Sequence, residues 1–173
     1  MSNLDGGIQL IRKGWGRLLQ ARHFLVDPTL FLVSTREETS IIFWGEPTSC
    51  VEASRIWDAF RTSMALDNDL PNHVMNLQGM SGRKYRRFIN RLVNATPDAA
   101  YLEIGSWSGS TACAAIAENS IRVTCIDNWS QFGGLKAEFE RNIGSVLSTR
   151  TDFRFIESDF RSINYRELGT FNI

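Results

Sequence analysis

The sequence lacks an excess of charge and a long apolar run. Lysine and arginine together number 19, as do aspartate and glutamate, so the formal net charge near neutral pH is zero. A balanced charge supplies no general attraction to nucleic acid or to an anionic membrane. Apolar residues nowhere run together for about 18 positions, and the N-terminus carries no uninterrupted apolar signal segment. We therefore expect a soluble, cytoplasmic protein with no membrane span and no nucleic-acid partner.

Cysteine and histidine are scarce as well. The three cysteines, Cys50, Cys113 and Cys125, form no CxxC pair, and the last two lie inside apolar segments, where cysteine behaves as a small hydrophobic residue. The two histidines, His23 and His73, are isolated from each other. These features predict reduced, buried thiols, no metal site and no catalytic histidine.

The chain divides into two predicted regions. Residues 1–78 contain a helical apolar spacing near the start, two β-rich runs around a polar turn, and an amphipathic helix that opens with a capping box at Ser49 and Glu52. These patterns predict an α+β N-terminal region, for which no chemistry can be named. Residues 79–173 form the second predicted domain.

That second domain opens with a two-faced helix. One face is apolar, and the other carries Arg83, Arg87 and Arg91 at a spacing of four residues. An arginine row of this kind is compatible with a phosphate contact or with a solvated helix face. The zero net charge of the chain favours the solvated face.

From residue 99 onward, apolar strands alternate with helices. The strands are predicted at "AAYLEI", "IRVTCID" and "FRFIESD", with helices between them at "GSTACAAIAEN" and "LKAEFERNIGSVL". This order predicts an α/β, Rossmann-like doubly wound fold with a mainly parallel sheet. The final "GTFNI" matches the start of a fourth strand, so the sheet would be incomplete. An exposed edge of that sheet predicts a homo-oligomer, or cover by the N-terminal region.

Three features fall at the carboxyl edge of this sheet, where parallel sheets bind ligands. The turn between Gly105 and Gly109 follows the first strand and lets backbone N–H groups approach a ligand. Asp127 follows the second strand and is placed to accept hydrogen bonds from both hydroxyls of a ribose. Asp159 follows the third strand, where it could accept from an adenine amine or cap a following helix. Together these residues predict a nucleoside pocket.

The glycine spacing separates two candidate cofactors. A dinucleotide turn has the pattern G-x-G-x-x-G, whereas Trp107 and its flanking serines stand where the middle glycine would be. Glu103, two residues before Gly105, would repel a pyrophosphate but suits an ammonium or a sulfonium group. The charges favour S-adenosylmethionine over NAD, and an NAD-dependent Rossmann enzyme is the alternative.

Residues 79–173 resemble a known family. "LEIGSWSGST" resembles the first motif of class I S-adenosylmethionine-dependent methyltransferases, "TCIDNWS" their ribose-binding acid, and "FIESDF" their adenine-facing segment. "IDNW" followed by Gly133, Gly134, Phe139 and Asn142 is similar to a branch that acts on small molecules and sugars. The resemblance implies a methyltransferase with a small-molecule methyl acceptor.

The resemblance also implies a role for each matching residue. The turn after the first strand would shape the pocket for the methionine end of the cofactor, and the acid after the second strand would hold the ribose. Residues that follow the second and third strands would face the adenine. "GMSG", residues 79–82, would line the cofactor. The implied cofactor-binding residues are Glu103, Gly105, Ser106, Trp107, Gly109, Asp127, Asn128, Trp129, Asp159 and Phe160.

Two interpretations stay open at this point. Trp107 and Trp129 fit packing in the core as well as contact with a cofactor. The family usually carries its catalytic residues after a fourth strand, so the resemblance implies a form truncated after the third strand. A non-catalytic nucleotide-binding or assembly module is therefore a further alternative.

Overall fold

The computed structural model describes residues 50–64 and 70–173. Within them, three strands form one open sheet, namely β1 (Ala100–Ile104), β2 (Ile121–Asp127) and β3 (Thr151–Glu157). Their order is β1-β2-β3, and both neighbouring pairs are parallel. The predicted α/β class with a parallel, Rossmann-like sheet is confirmed. The helix and the hairpin predicted before residue 49 lie outside the described residues.

Five α-helices accompany the sheet in the part of the chain that the structure describes. They are α1 (Val51–Ser63), α2 (Asn72–Met75), α3 (Arg83–Ala95), α4 (Ser110–Ile116) and α5 (Lys136–Gly144). Two short 3-10 helices follow β3, at Phe160–Ser162 and Tyr165–Glu167. Among these described helices, none has the length and apolar character needed to cross a membrane.

The helices that connect the strands, α4 and α5, cover the same face of the sheet. Tyr101, Val123 and Phe153 are in register across the three strands and so share this face. They pack in one core with residues of α4 and with Phe139 of α5. A chain that adds strands in one direction through right-handed crossovers places each helix on the same side. This is the arrangement of one half of a doubly wound sheet.

Small side chains let α4 approach the sheet closely. Ala112, Cys113, Ala114 and Ala115 are fully buried. Asn90 of α3 packs behind them and donates its amide N–H groups to the carbonyls of Ala114 and Ala117 at 2.9 and 2.8 Å. The final carbonyls of α4 are thereby satisfied without water. The C-terminal end of α4 is consequently held against α3.

The cysteines follow the prediction in part. Cys113 and Cys125 are buried, and burial raises the pKa of the Cys113 thiol to about 12, so it stays protonated. Cys50, by contrast, is exposed. Its Sγ accepts a hydrogen bond from the Ala53 N–H at 3.4 Å, which makes Cys50 the N-cap of α1. The capping box predicted at Ser49 and Glu52 is therefore wrong by one residue.

The arginine row of α3 is not a fully solvated face. α1 packs on α3, with the rings of Phe60 and Phe88 6.1 Å apart. The same contact brings Arg87 Nη1 to 3.4 Å from the Ser63 carbonyl, to which it donates. Arg87 is half-buried as a result. The prediction of a solvated face is wrong for this residue, because a neighbouring helix covers it.

Backbone from the end of the chain lies along the outer edge of β1. The Ile173 N–H donates to the Ala100 carbonyl at 3.2 Å, and the Leu102 N–H donates to the Ile173 carbonyl at 3.1 Å. This is the bonding pattern of a parallel strand pair. Association of two chains through a sheet edge stays a prediction.

Residues between positions 70 and 75 contribute to the core of the sheet. Leu70, Val74 and Met75 are buried in the same cluster as the α4 alanines. The boundary predicted at residue 79 stays a prediction, because most of residues 1–78 lie outside the described part of the chain.

Candidate functional site

A cleft of about 340 Å³ lies beyond the carboxyl ends of the three strands. Its walls come from the segment before α3, the β1–α4 turn, the β2–α5 loop and the turn after β3. Eight of the ten predicted cofactor-binding residues line it, namely Glu103, Gly105, Ser106, Trp107, Asp127, Asn128, Asp159 and Phe160. The other two, Gly109 and Trp129, pack beside the cleft. The fold thus brings together side chains that are far apart in the sequence.

The turn after β1 uses glycine for two different reasons. Gly105 and Gly109 both have a φ of +81°, which favours glycine. A methyl group added at Gly105 would meet no protein atom within 4 Å, whereas one added at Gly109 would lie 2.9 Å from the Phe139 ring. Gly105 therefore keeps space open at the cleft. Gly109 instead lets α5 pack against the turn.

Glu103 brings a buried carboxyl to the cleft. It is 8% exposed, and its Oε2 accepts a hydrogen bond from the Tyr101 hydroxyl at 2.6 Å. Burial raises the pKa of Glu103 from 4.5 to about 7, although hydrogen bonding by Tyr101 acts in the opposite direction. The Ser106 hydroxyl is near enough to favour the charged carboxylate but lies outside hydrogen-bond geometry.

Two buried polar atoms beside the cleft have no hydrogen-bond partner among the described residues. They are Glu103 Oε1 and Ser106 Oγ. Buried polar atoms are nearly always paired in folded proteins, so these two oxygens are candidates for a hydrogen bond from a water molecule or a ligand. An ammonium group is a donor that matches both oxygens.

Asp127 ties the two loops of the cleft together. Its Oδ2 accepts from the Trp107 backbone N–H and its Oδ1 from the Trp129 backbone N–H, each at 2.7 Å. The Trp107 indole N–H donates to the Phe132 carbonyl at 3.0 Å, and the Trp129 indole N–H donates to the Trp107 carbonyl at 3.2 Å. Each carboxylate oxygen can accept more than one hydrogen bond, so Asp127 can also accept from a ribose.

These loops contain backbone conformations that non-glycine residues rarely adopt. Trp107 and Trp129 each have a φ of +46°, and Phe132 has a φ of +54°. Such conformations cost roughly 1 to 3 kcal/mol each and persist where surrounding contacts fix them. The hydrogen bonds to Asp127 and between the loops supply those contacts. The shape of the cleft thus depends on the Asp127 carboxylate.

The two tryptophans, whose roles the sequence left open, have different positions. Trp107 lines the cleft. Trp129 packs on the core, with its ring 4.8 Å from that of Phe155 and 5.7 Å from that of Phe139. Lys136 Nζ lies 5.6 Å from the centre of the Trp129 ring. Trp129 therefore packs the β2–α5 loop against the core, and Trp107 is the tryptophan that a ligand could contact.

Asp159 has the capping role that was its alternative prediction. It caps the 3-10 helix Phe160–Ser162, and its Oδ1 accepts from the Arg161 N–H at 2.9 Å. The Arg161 guanidinium donates to both carboxylate oxygens, at 3.0 and 2.6 Å. These hydrogen bonds lower the pKa of Asp159 to about 2. Asp159 also lines the cleft, so a ligand amine would share this carboxylate with Arg161.

Exposed apolar side chains surround the polar groups of the cleft. Met80, Phe132 and Phe160 are 70%, 66% and 51% exposed, and all three line the cleft. Large apolar side chains beside convergent polar groups are typical of small-molecule sites. The cleft therefore offers apolar surface for a planar ring as well as carboxylates for donors.

Several lining residues were not singled out from the sequence. Arg161 is among them, although its place two residues after Asp159 is compatible with an ion pair. Ser110 is another, and its hydroxyl lies 3.2 Å from that of Ser81, which belongs to the predicted lining segment 79–82 and lines the cleft with Met80. Phe132 precedes two glycines, a pattern that indicates a tight loop but not the direction of its side chain.

Comparisons with known proteins identify no relative. The chain matches no protein-family model, no curated protein and no solved structure.

Proposed function

We propose that the cleft binds S-adenosylmethionine and that the chain is a methyltransferase for a small molecule or a sugar. The convergence of three carboxylates, those of Glu103, Asp127 and Asp159, on one cleft carries this proposal. Among the described residues, Arg161 is the one cation of the lining, and it is paired with Asp159. Such a lining attracts a ligand with positive charge, and the sulfonium and ammonium groups supply that charge.

The same charges disfavour a dinucleotide. A pyrophosphate bound at the β1–α4 turn would lie near Glu103 and Asp127, and both carboxylates would repel it. The Trp107 N–H, which a dinucleotide turn would direct at a phosphate, donates to Asp127 instead. NAD is thus a poorer match than S-adenosylmethionine for these residues.

Each part of the cofactor has a matching group in the lining. Asp127 would accept from the ribose hydroxyls, and Asp159 with Phe160 would face the adenine. Glu103 and Ser106, with their unpaired oxygens, would accept from the ammonium group. When bound, S-adenosylmethionine supplies an electrophilic methyl group. The chain would contribute orientation, by fixing the ligand against the β1–α4 turn.

Calorimetric titration with S-adenosylhomocysteine and with NAD tests this function. We expect the wild type to bind S-adenosylhomocysteine and to bind NAD weakly or not at all. Asp127→Asn should lower the affinity about tenfold or more, because hydrogen bonds to a charged acceptor are worth about 1.5 kcal/mol or more. Asp152→Asn, at an exposed carboxylate near the other end of β3, is the matched control and should bind as the wild type does.

Two results would count against the proposal. One is tighter binding of NAD than of S-adenosylhomocysteine. The other is unchanged binding in Asp127→Asn, provided that circular dichroism shows the variant to be folded. Cofactor binding without methyl transfer to any acceptor would favour a non-catalytic binding module.

A further inference from the structure

One edge of the sheet is open in the part of the chain that the structure describes. The outer edge of β1 is covered, because the Leu102 N–H donates to the Ile173 carbonyl there at 3.1 Å. The strand at the other edge, β3, pairs with β2 on one side and has no described neighbour on the other. An unpaired strand edge is a site at which another chain can add a strand.

The backbone groups of β3 point alternately toward β2 and away from it. The Ser158 N–H, directly after β3, donates to the Asp127 carbonyl at 3.1 Å, and the bonding of a parallel pair repeats every second residue. Even-numbered residues of β3 therefore direct their backbone groups toward β2, and odd-numbered residues direct theirs outward. Phe153 and Phe155 consequently present N–H and C=O groups to which a further strand could bond.

The same strand carries two opposite charges that have no ion-pair partner among the described residues. Asp152 and Arg154 are exposed, and because they are two residues apart they lie on the same face of the sheet. Arg122 on β2 is in register with Asp152, but its guanidinium donates to the Thr170 carbonyl at 2.6 Å instead. Both side chains of the edge are therefore available to charges of another chain.

We propose that β3 pairs antiparallel with β3 of a second copy of this chain, with the two-fold axis at Phe153. This pairing places Asp152 of each copy opposite Arg154 of the other, so two ion pairs form across the axis. Moving the axis by one residue, to Asp152 or to Arg154, would place like charges opposite each other. Charge complementarity thus selects one register. The half-buried rings of Phe153 and Phe155 would also lose contact with water.

The pairing does not rest on the proposed function. Thr151–Glu157 lies outside the lining of the cleft, so ligand binding and self-association are separate readouts. The two sheets would join into one continuous sheet, with the helices α4 and α5 of both copies on the same face. That arrangement follows because residues directly opposite each other in an antiparallel pair point to the same side.

Charge reversal tests both the interface and its register. The wild type should show a monomer–dimer equilibrium in sedimentation velocity over a concentration series. Asp152→Arg and Arg154→Asp, each alone, should raise the dissociation constant of the dimer about tenfold or more, because each variant places two pairs of like charges in the interface. An equimolar mixture of the two variants should associate as the wild type does, because the arginines of one face the aspartates of the other.

The control is Asp58→Arg, at an exposed carboxylate of α1. It changes the net charge by the same amount as Asp152→Arg and should associate as the wild type does. Circular dichroism checks that each variant is folded. Three results would overturn the proposal: a wild type that sediments as a monomer throughout the series, an unchanged dissociation constant in folded Asp152→Arg, or a mixture that associates no better than either variant alone.

Discussion

Replacing Glu103 with glutamine should remove a penalty that the folded chain carries at neutral pH. Burial raises the pKa of this carboxyl from 4.5 to about 7, so between these pH values the folded chain keeps a proton that the unfolded chain has lost. The stability that Glu103 contributes is therefore full below pH 4.5 and is lost as the pH rises through about 7. The difference between these two pKa values corresponds to roughly 3 kcal/mol, at about 1.4 kcal/mol per pH unit.

Urea unfolding from about pH 4 to about pH 8 measures this effect. The wild type should lose roughly 3 kcal/mol of unfolding free energy relative to Glu103→Gln across that interval. Glutamine cannot ionise, but its amide oxygen can still accept from Tyr101, and the comparison cancels the other titrating groups. Glu140→Gln, at an exposed residue of α5, is the control and should follow the wild type. Parallel pH profiles for the wild type and Glu103→Gln would refute the reasoning.

Three further predictions concern packing and charge. Gly109→Ala should lower the unfolding free energy by about 2 kcal/mol in thermal melts, because the added methyl group would meet the Phe139 ring and Gly109 has a positive φ. Gly144→Ala is the control, because a methyl group there at the end of α5 meets open space, and it should not lower the unfolding free energy. Phe139→Ala should cost about 3 to 5 kcal/mol by urea unfolding, since the ring is fully buried. Arg161→Ala should raise the pKa of Asp159 from about 2 toward its ordinary value of 3.8, as followed by carboxyl-carbon NMR.

The strands were predictable because several signals agreed. "IRVTCID" is an apolar, β-rich run between polar residues, and β2 has the same bounds, Ile121–Asp127. The alternation of such runs with helical segments left a parallel sheet as the consistent arrangement. The helix predicted after Gly109 is shorter than its sequence pattern, since α4 ends at Ile116. Alanine-rich composition indicates a helix well but does not fix where it stops.

Burial on α3 could not be predicted from periodicity alone. Arg86 stands beside Arg87 in an arginine-rich segment, yet Arg86 is buried and Arg87 is half-buried. Arg86 is more buried because the carbonyls of Val74 and Met75, more than ten residues earlier, accept hydrogen bonds from it. Contacts over such a separation in sequence leave no local signal.

Residues of the same sequence motif also have different roles, which depend on distant contacts. Gly105 and Gly109 belong to one motif, but Gly109 faces Phe139, thirty residues further along the chain. The sequence does not distinguish the roles of Trp107 and Trp129. Trp129 is a packing residue because its ring contacts the aromatic ring of Phe155. Sequence could therefore predict the edge of the sheet at which the cleft lies, whereas the division into lining and packing residues required the fold.

A crystal structure of the chain with S-adenosylhomocysteine tests the central claim most directly. The account predicts density for the ligand in the cleft beyond the carboxyl ends of β1, β2 and β3. Its ribose should lie within hydrogen-bond distance of Asp127 and its amine near Glu103. Density for the ligand at another place on the chain, or a cleft that holds only solvent under saturating ligand, would contradict the account.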